Sequence, residues 1–181
     1  LLVVLLLVAV LLGGMIWFVS NHFFVGGKAY ANDAQQLDLR GERISIEEYE
    51  AIRTRLPEAD IRWDIPFQGN PRPDDTTALT VSSLNQGDLD ALSYFKQLKS
   101  VDATACRDYE MIRGLQARYP DVDVDYTVVI GGQEYGRAAQ AVVCADLTDE
   151  DIALMAMLPQ LKTVDANGCS DPDRIAALSA A

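Results

Sequence analysis

The feature that most constrains this chain is an internal repeat. The segment LKSVDATAC, Leu98 to Cys106, returns as LKTVDANGC, Leu161 to Cys169, at an offset of 161 − 98 = 63 residues. At the same offset Ala78, Leu84, Asp88, Ile112 and Leu115 answer to Ala141, Leu147, Asp151, Ile175 and Leu178. An earlier copy is also present, since Pro57, Ile61, Trp63, Ile65 and Gly69 correspond to Pro120, Val124, Tyr126, Val128 and Gly132. Self-similarity at a fixed period means that each copy is a supersecondary unit, which buries its apolar face by stacking on its neighbours.

A shorter rhythm runs inside the copies, in which two apolar residues flank one other residue: Leu37/Leu39, Ala59/Ile61, Leu79/Val81, Val101/Ala103, Val122/Val124, Val142/Cys144 and Val164/Ala166. Their starts are 22, 20, 22, 21, 20 and 22 residues apart. Period-two alternation predicts short strands whose apolar residues face a common core. Between them, Ile44 to Leu56, Asp88 to Leu98, Arg107 to Tyr119 and Asp149 to Leu158 carry apolar residues at helical spacing. Acidic residues at their starts, with Pro57, Pro120 and Asp171–Pro172 at boundaries, are ordinary helix punctuation. FQGNPRPDD (Phe67 to Asp75) and IGGQEYG (Ile130 to Gly136) read as loops, with an extended edge segment as the alternative.

The spacing L-x-x-L-x-L-x-x-(N/C) stands here as Leu98, Val101, Ala103, Cys106 and again as Leu161, Val164, Ala166, Cys169. Leu79, Val81 and Leu84, followed by Leu89, Leu92, Phe95 and Leu98, fit the full repeat. In these residues the chain resembles the leucine-rich repeat proteins, in particular those tethered to membranes at bacterial surfaces. The resemblance implies an α/β fold, a solenoid of parallel short strands alternating with helices over residues 36–181, continuing past the C-terminus.

Residues Leu1 to Val19 contain no charge, and a helix of that length is roughly 29 Å long, about one hydrocarbon core. The expectation is one transmembrane helix over residues 1–21, retained as an anchor and extended by Phe23, Phe24 and Val25, with a juxtamembrane linker over 22–35. The rival reading is a cleaved signal peptide, because Ala29, Tyr30 and Ala31 form an A-x-A pattern. The chain does not begin with Met and reads as a fragment. Lys28 is the sole cation near the exit and the rest is acidic, which places residues 32–181 outside the cytoplasm.

Composition narrows the function. With 15 Lys+Arg against 27 Asp+Glu the net charge is −12, so nucleic acid is repelled rather than bound. His22 is the only histidine, which removes most triads, imidazole bases and His-metal sites. Three cysteines, Cys106, Cys144 and Cys169, at wide spacing imply no closed disulfide framework and read as small buried hydrophobes.

In the geometry implied by the resemblance, the residue between each apolar pair points out of the sheet face. These are Asp38, Asp60, Thr80, Asp102, Asp123, Val143 and Asp165. Aspartate is depleted in strands, and adjacent strands would set neighbouring carboxylates about 5 Å apart. Asp38, Asp60, Asp102, Asp123 and Asp165 are therefore the candidate ligand-binding residues, suited to a basic or cation-bridged partner, while the plainer account is a solvated face. Asp121, Asp123 and Asp125 are not a calcium loop, because Tyr126 and Gly132 stand where its Gly and Glu are needed. IGGQEYG lacks the marks of a phosphate loop. Trp63, Tyr126 and Tyr94 could stack on a ligand, although the equivalence of Trp63 and Tyr126 favours packing. The expected function is an extracytoplasmic, membrane-anchored binding module with no catalysis, metal or cofactor. The alternatives are a spacer presenting further domains and, more remotely, a glycan hydrolase built on paired carboxylates.

Overall fold

The computed structural model describes residues 2–178, and side chains from residue 10 to residue 176 apart from residue 172. The chain forms two compact units. One runs up to Asp75 and includes Ser93–Lys96; the other comprises Thr76–Leu92 and the chain from Gln97 onward. Leu1 and residues 179–181 of the expected anchor and repeat domain lie outside the described residues.

The first unit contains α1 (Leu2–Asn21), the hairpin β1 (His22–Val25) and β2 (Lys28–Ala31), then β3 (Gln36–Asp38), α2 (Ile46–Arg55), β4 (Asp60–Arg62) and a second hairpin, β5 (Asp64–Phe67) and β6 (Asn70–Pro73). Helix α2 starts at a capping box: Ser45 Oγ accepts from Glu48 N–H at 3.1 Å, and Glu48 Oε2 accepts from Ser45 N–H at 2.7 Å. It turns Tyr49 and Ile52 inward. Tyr49 stacks on the fully buried Trp63 with centroids 4.1 Å apart, and Tyr94 meets both rings edge-on. Strands β3 and β4 are parallel, and both hairpins are antiparallel.

The second unit contains β7 (Ala78–Thr80), α3 (Gln86–Ala91), β8 (Ser100–Ala103), α4 (Tyr109–Arg118), β9 (Asp123–Ile130), β10 (Gln133–Gly136), β11 (Ala141–Val143), α5 (Asp149–Met155), β12 (Thr163–Asp165) and α6 (Pro172–Leu178). Strands β7, β8 and β9 are parallel neighbours, and the second half of β9 turns back into β10. Strands β11 and β12 form a separate parallel pair. Asn85 with Asp88, and Thr148 with Asp151, close the same capping box on α3 and α5.

The 63-residue offset holds at the level of backbone register. Ala78↔Ser100 and Thr80↔Asp102 become Ala141↔Thr163 and Val143↔Asp165. Asp64↔Pro73 and Phe67↔Asn70 become Thr127↔Gly136 and Ile130↔Gln133. Both hairpin turns place two consecutive residues at positive φ, Gln68–Gly69 and Gly131–Gly132, which is the type I′ geometry that matches strand twist. The two segments expected to be loops are thus hairpins. The hairpin β1–β2, with Gly26–Gly27 at positive φ, is a further copy, shifted by 64 − 22 = 42 residues from β5–β6. Its burial pattern, Phe23 and Val25 inward, matches Ile65 and Phe67.

That copy corrects the anchor. Phe23 and Val25 do not prolong an apolar helix: they are the inward residues of a hairpin, in the stretch expected to be a linker. Among the described residues no helix is long and apolar enough to cross a membrane. The transmembrane helix, the membrane contact through residues 1–19 and the extracytoplasmic location inferred from them are not supported.

The leucine-rich repeat solenoid is corrected as well. Its parallel strands do not merge into one sheet; they form small sheets, none of them a closed barrel. The physical reason is that the far edges of β4 and β9 are closed by cations. Asp60 and Asp123 donate their N–H groups to Gln35 O and Lys99 O, just before β3 and β8, so the carbonyls of Ile61 and Val124 point to the other side. Lys96 Nζ donates to Ile61 O at 2.6 Å, and Arg137 Nη1 donates to Val124 O at 2.7 Å. The next residues along those edges, Trp63 and Tyr126, give their carbonyls to Asp74 and Arg137 N–H. A strand arriving there would find the acceptors taken.

Candidate functional site on the exposed strand face

The apolar pairs that line the cores of β4 and β9 are Ile61/Trp63 and Val124/Tyr126, all buried, two residues later than the pairs read from the sequence. The outward residues between them are Arg62 and Asp125, both exposed. Each of the expected carboxylates does face solvent, but the register distributes them differently. Asp38 lies opposite Arg62 and Asp60 opposite Gln36 on β3–β4. On β7–β8–β9 the rows are Thr80, Asp102, Asp125 and Ala78, Ser100, Asp123. Asp165 faces Val143 across β11–β12. The five aspartates therefore lie on three sheets and form no single column.

Their electrostatics divide them further. Arg40 donates to Asp38 from Nη2 at 2.5 Å and Nε at 2.9 Å, and its side-chain and backbone hydrogen bonds hold the Asp38 carboxyl at about 2. Asp60 has Arg62 Nε at 3.8 Å and Lys96 Nζ at 4.0 Å. Asp123 accepts from Arg137 Nη2 at 2.5 Å. Asp165 accepts the N–H of Asn167 at 3.1 Å. These four are neutralised by cations or used in a local turn.

Asp102 is used in a local turn as Asp165 is, and it differs from Asp165 in the residue that lies opposite it. Asp102 accepts from Thr104 Oγ1 at 2.7 Å and from Thr104 N–H at 3.0 Å, and those two bonds, in that order, lower its pKa. Asp125 lies directly across from it on β9. Among the described residues no cation lies within ion-pair distance of either carboxylate. Asp125 escapes the sequence reading because the spacing pairs Val122 with Val124 on β9, which sets Asp123 between them. The equivalence of Trp63 and Tyr126 was the signal that would have moved it.

Among the described residues no group of three or more His, Cys, Asp or Glu is placed to hold a metal ion. Cys106, Cys144 and Cys169 are free thiols, the first two buried, and burial pushes the Cys144 thiol up.

The IGGQEYG segment serves the fold. Gly131 stands at φ +55°, donates its N–H to Asp151 Oδ1 at 3.0 Å, and lies so close to β11 that an added Cβ would be 2.8 Å from Cys144 Sγ. Gly131→Ala is expected to lose about 2 kcal/mol, from left-handed backbone strain plus overpacking. Gly132→Ala, at φ +78° with open space around it, should lose about 1 kcal/mol, the strain alone. Urea midpoints of the two variants give the comparison, and equal losses would contradict the close approach.

Comparison of the chain with protein-family models, with curated proteins and with solved structures finds no match. The functional reading rests on the geometry of the chain itself.

Proposed function

We propose that the chain is a non-catalytic binding module whose β7–β8–β9 face receives a basic, extended polypeptide segment. The observation that carries this reading is the contrast between two equivalent rows. On β3–β4 the outward row pairs Asp38 with Arg62, opposite charges; on β8–β9 it pairs Asp102 with Asp125, like charges. Like charges directly opposite each other destabilise a sheet. A ligand cation seated between them would relieve that repulsion and gain two charge-assisted hydrogen bonds. Thr104 already orients the Asp102 carboxylate toward its anionic form. The flanking residues Ala78, Thr80 and Ser100 are small and leave the face open to an extended chain.

The test uses a fluorescein-labelled Lys- and Arg-rich nonapeptide and anisotropy at low and high salt. Saturable binding is expected that weakens as salt rises and falls at least tenfold in Asp102→Asn/Asp125→Asn. The variant Asp125→Arg copies the row found on β3–β4: it should melt a few degrees higher and bind no peptide. Binding that is indifferent to all three substitutions, or no binding at all, would reject the proposal.

A further inference from the structure

Beyond Asp125 the outward face of β9 runs into a cleft. Asp125, Thr127 and Val129 share that face, and Val129 lines a cleft of about 720 Å³ bounded by the starts of α4 and α5 and by the turn of the β9–β10 hairpin. Strand rise sets Val129 about 13 Å from Asp125, 129 − 125 = 4 residues on. Tyr109 and Leu154 add apolar surface, and the Tyr109 hydroxyl accepts the Val129 N–H at 3.1 Å, which ties the start of α4 to the strand. Gly132 leaves one wall bare, while Asp146 and Glu150, both exposed, stand on another.

The cleft belongs to the repeat. A cleft of about 480 Å³ in the first unit is lined by Ile44, Pro66 and Gly69, which stand 63 residues before Arg107, Val129 and Gly132. The two clefts differ in charge as the two outward rows do. In the first, each carboxylate is engaged within its own unit, Glu42 by Lys28, Glu48 by Ser45 N–H and Asp64 by Gly41 N–H. In the second, Asp151 is engaged, but the carboxylates of Asp146 and Glu150 have no hydrogen-bond or ion-pair partner among the described residues. Arg107 lies between the Asp102–Asp125 row and the cleft, donates to Thr127 Oγ1 at 2.9 Å and is neutralised by Glu134. The outward face of β9 therefore leads from one pair of unneutralised carboxylates to another.

We propose that the cleft is a second subsite for the basic segment received by the β7–β8–β9 face, and that it takes a Lys or Arg four positions from the residue seated between Asp102 and Asp125. The inference rests on that reading of the face. The aliphatic stem of such a side chain covers Val129 and Leu154, and its charged end reaches Asp146 and Glu150. Side chains of an extended segment alternate, so residues four apart share one side of it and residues three or five apart do not. The spacing is the same for either chain direction.

The probes are three fluorescein-labelled Ser/Gly peptides of equal length, each with two lysines, set three, four or five positions apart, and binding to the full chain is followed by anisotropy. The four-apart peptide is expected to bind at least tenfold more tightly than the other two. Asp146→Asn/Glu150→Gln, with circular dichroism unaltered, should bring it down to their level. Equal binding of the three peptides to the native chain overturns the inference; if that binding is lost in Asp102→Asn/Asp125→Asn, the reading of the face survives. A preference for four-apart lysines that persists in Asp146→Asn/Glu150→Gln also overturns the inference. Absence of saturable binding by all three peptides overturns it together with the reading of the face.

Discussion

Lys96→Met is expected to destabilise the first unit by about 3 kcal/mol, the lower end of what removing one partner of a buried ion pair costs. The Asp74 side chain is 4% exposed and holds Lys96 Nζ at 2.7 Å, while the same ammonium donates to Ile61 O at 2.6 Å. Lys96 itself is 46% exposed, so its Coulombic share is discounted for solvent screening. The greater part of the loss comes from what is left behind, a buried carboxylate without its cation and a carbonyl at an open strand edge. Asp74→Asn added to Lys96→Met should restore at least half of the loss, because the orphaned charge is then gone. Urea denaturation of both variants checks this; a single-variant loss below about 1 kcal/mol would mean that the ammonium is dispensable.

Asp151→Ala should cost a similar amount, about 3 kcal/mol, in the second unit. The Asp151 carboxylate is buried and accepts from Thr148 N–H at 2.9 Å, Thr148 Oγ1 at 2.6 Å and Gly131 N–H at 3.0 Å. Alanine removes the capping box, worth about 1 kcal/mol, and leaves the Gly131 amide and the Thr148 groups unsatisfied, at roughly 1–3 kcal/mol. Burial pushes the Asp151 pKa up, but the three hydrogen bonds outweigh it and the net shift is downward. A carboxyl held below its unfolded value stabilises the fold fully above that value, near 3.9. The contribution is lost as pH falls through the folded value. Asp38, held at about 2, and Asp102, also lowered, act in the same direction. Stability should therefore decline as pH falls from about 4 towards 2, and the decline should be shallower in Asp151→Ala. An unchanged slope in that variant would contradict the role given to Asp151.

What the sequence disclosed and what it hid differ in range. Helices α2, α4 and α5 lie within the segments predicted from apolar spacing, because their caps and inward faces are local properties. The offset of 63 was legible for the same reason and survives as identical strand registers. Edge closure was not legible. Lys96 is 96 − 61 = 35 residues from the carbonyl it guards, and no periodicity marks it. The first hairpin was concealed because Phe23, Phe24 and Val25 continue an apolar run, so that only the Gly26–Gly27 turn distinguishes a strand pair from more helix. The second turn carried a further disguise, with Gln68 at positive φ where Gly26 and Gly131 stand in the other copies. On the candidate face, the spacing places Asp102 between Val101 and Ala103, where it is exposed, while Asp125 falls outside the predicted pair Val122/Val124 and is exposed as well. That difference matters because pairing Asp102 with Asp125 rather than Asp123 replaces a column spread along the chain with one unneutralised pair.

The cationic guards on β4 and β9 also bear on how such a chain can lengthen by inheritance. Tandem duplication of a stretch of gene ordinarily creates a protein whose new strand edges match each other, and the first product of the event is prone to stick to itself. In this chain the guards are not copies of one another: at the 63-residue offset Lys96 corresponds to Pro159 and Arg137 to Asp74, so the equivalent carbonyls of Ile61 and Val124 are closed by residues from different places in each copy. An edge opened by duplication is thus closed anew. Selection can then act on the outward residues of each copy separately, as the exchange of Arg62 for Asp125 between equivalent positions illustrates.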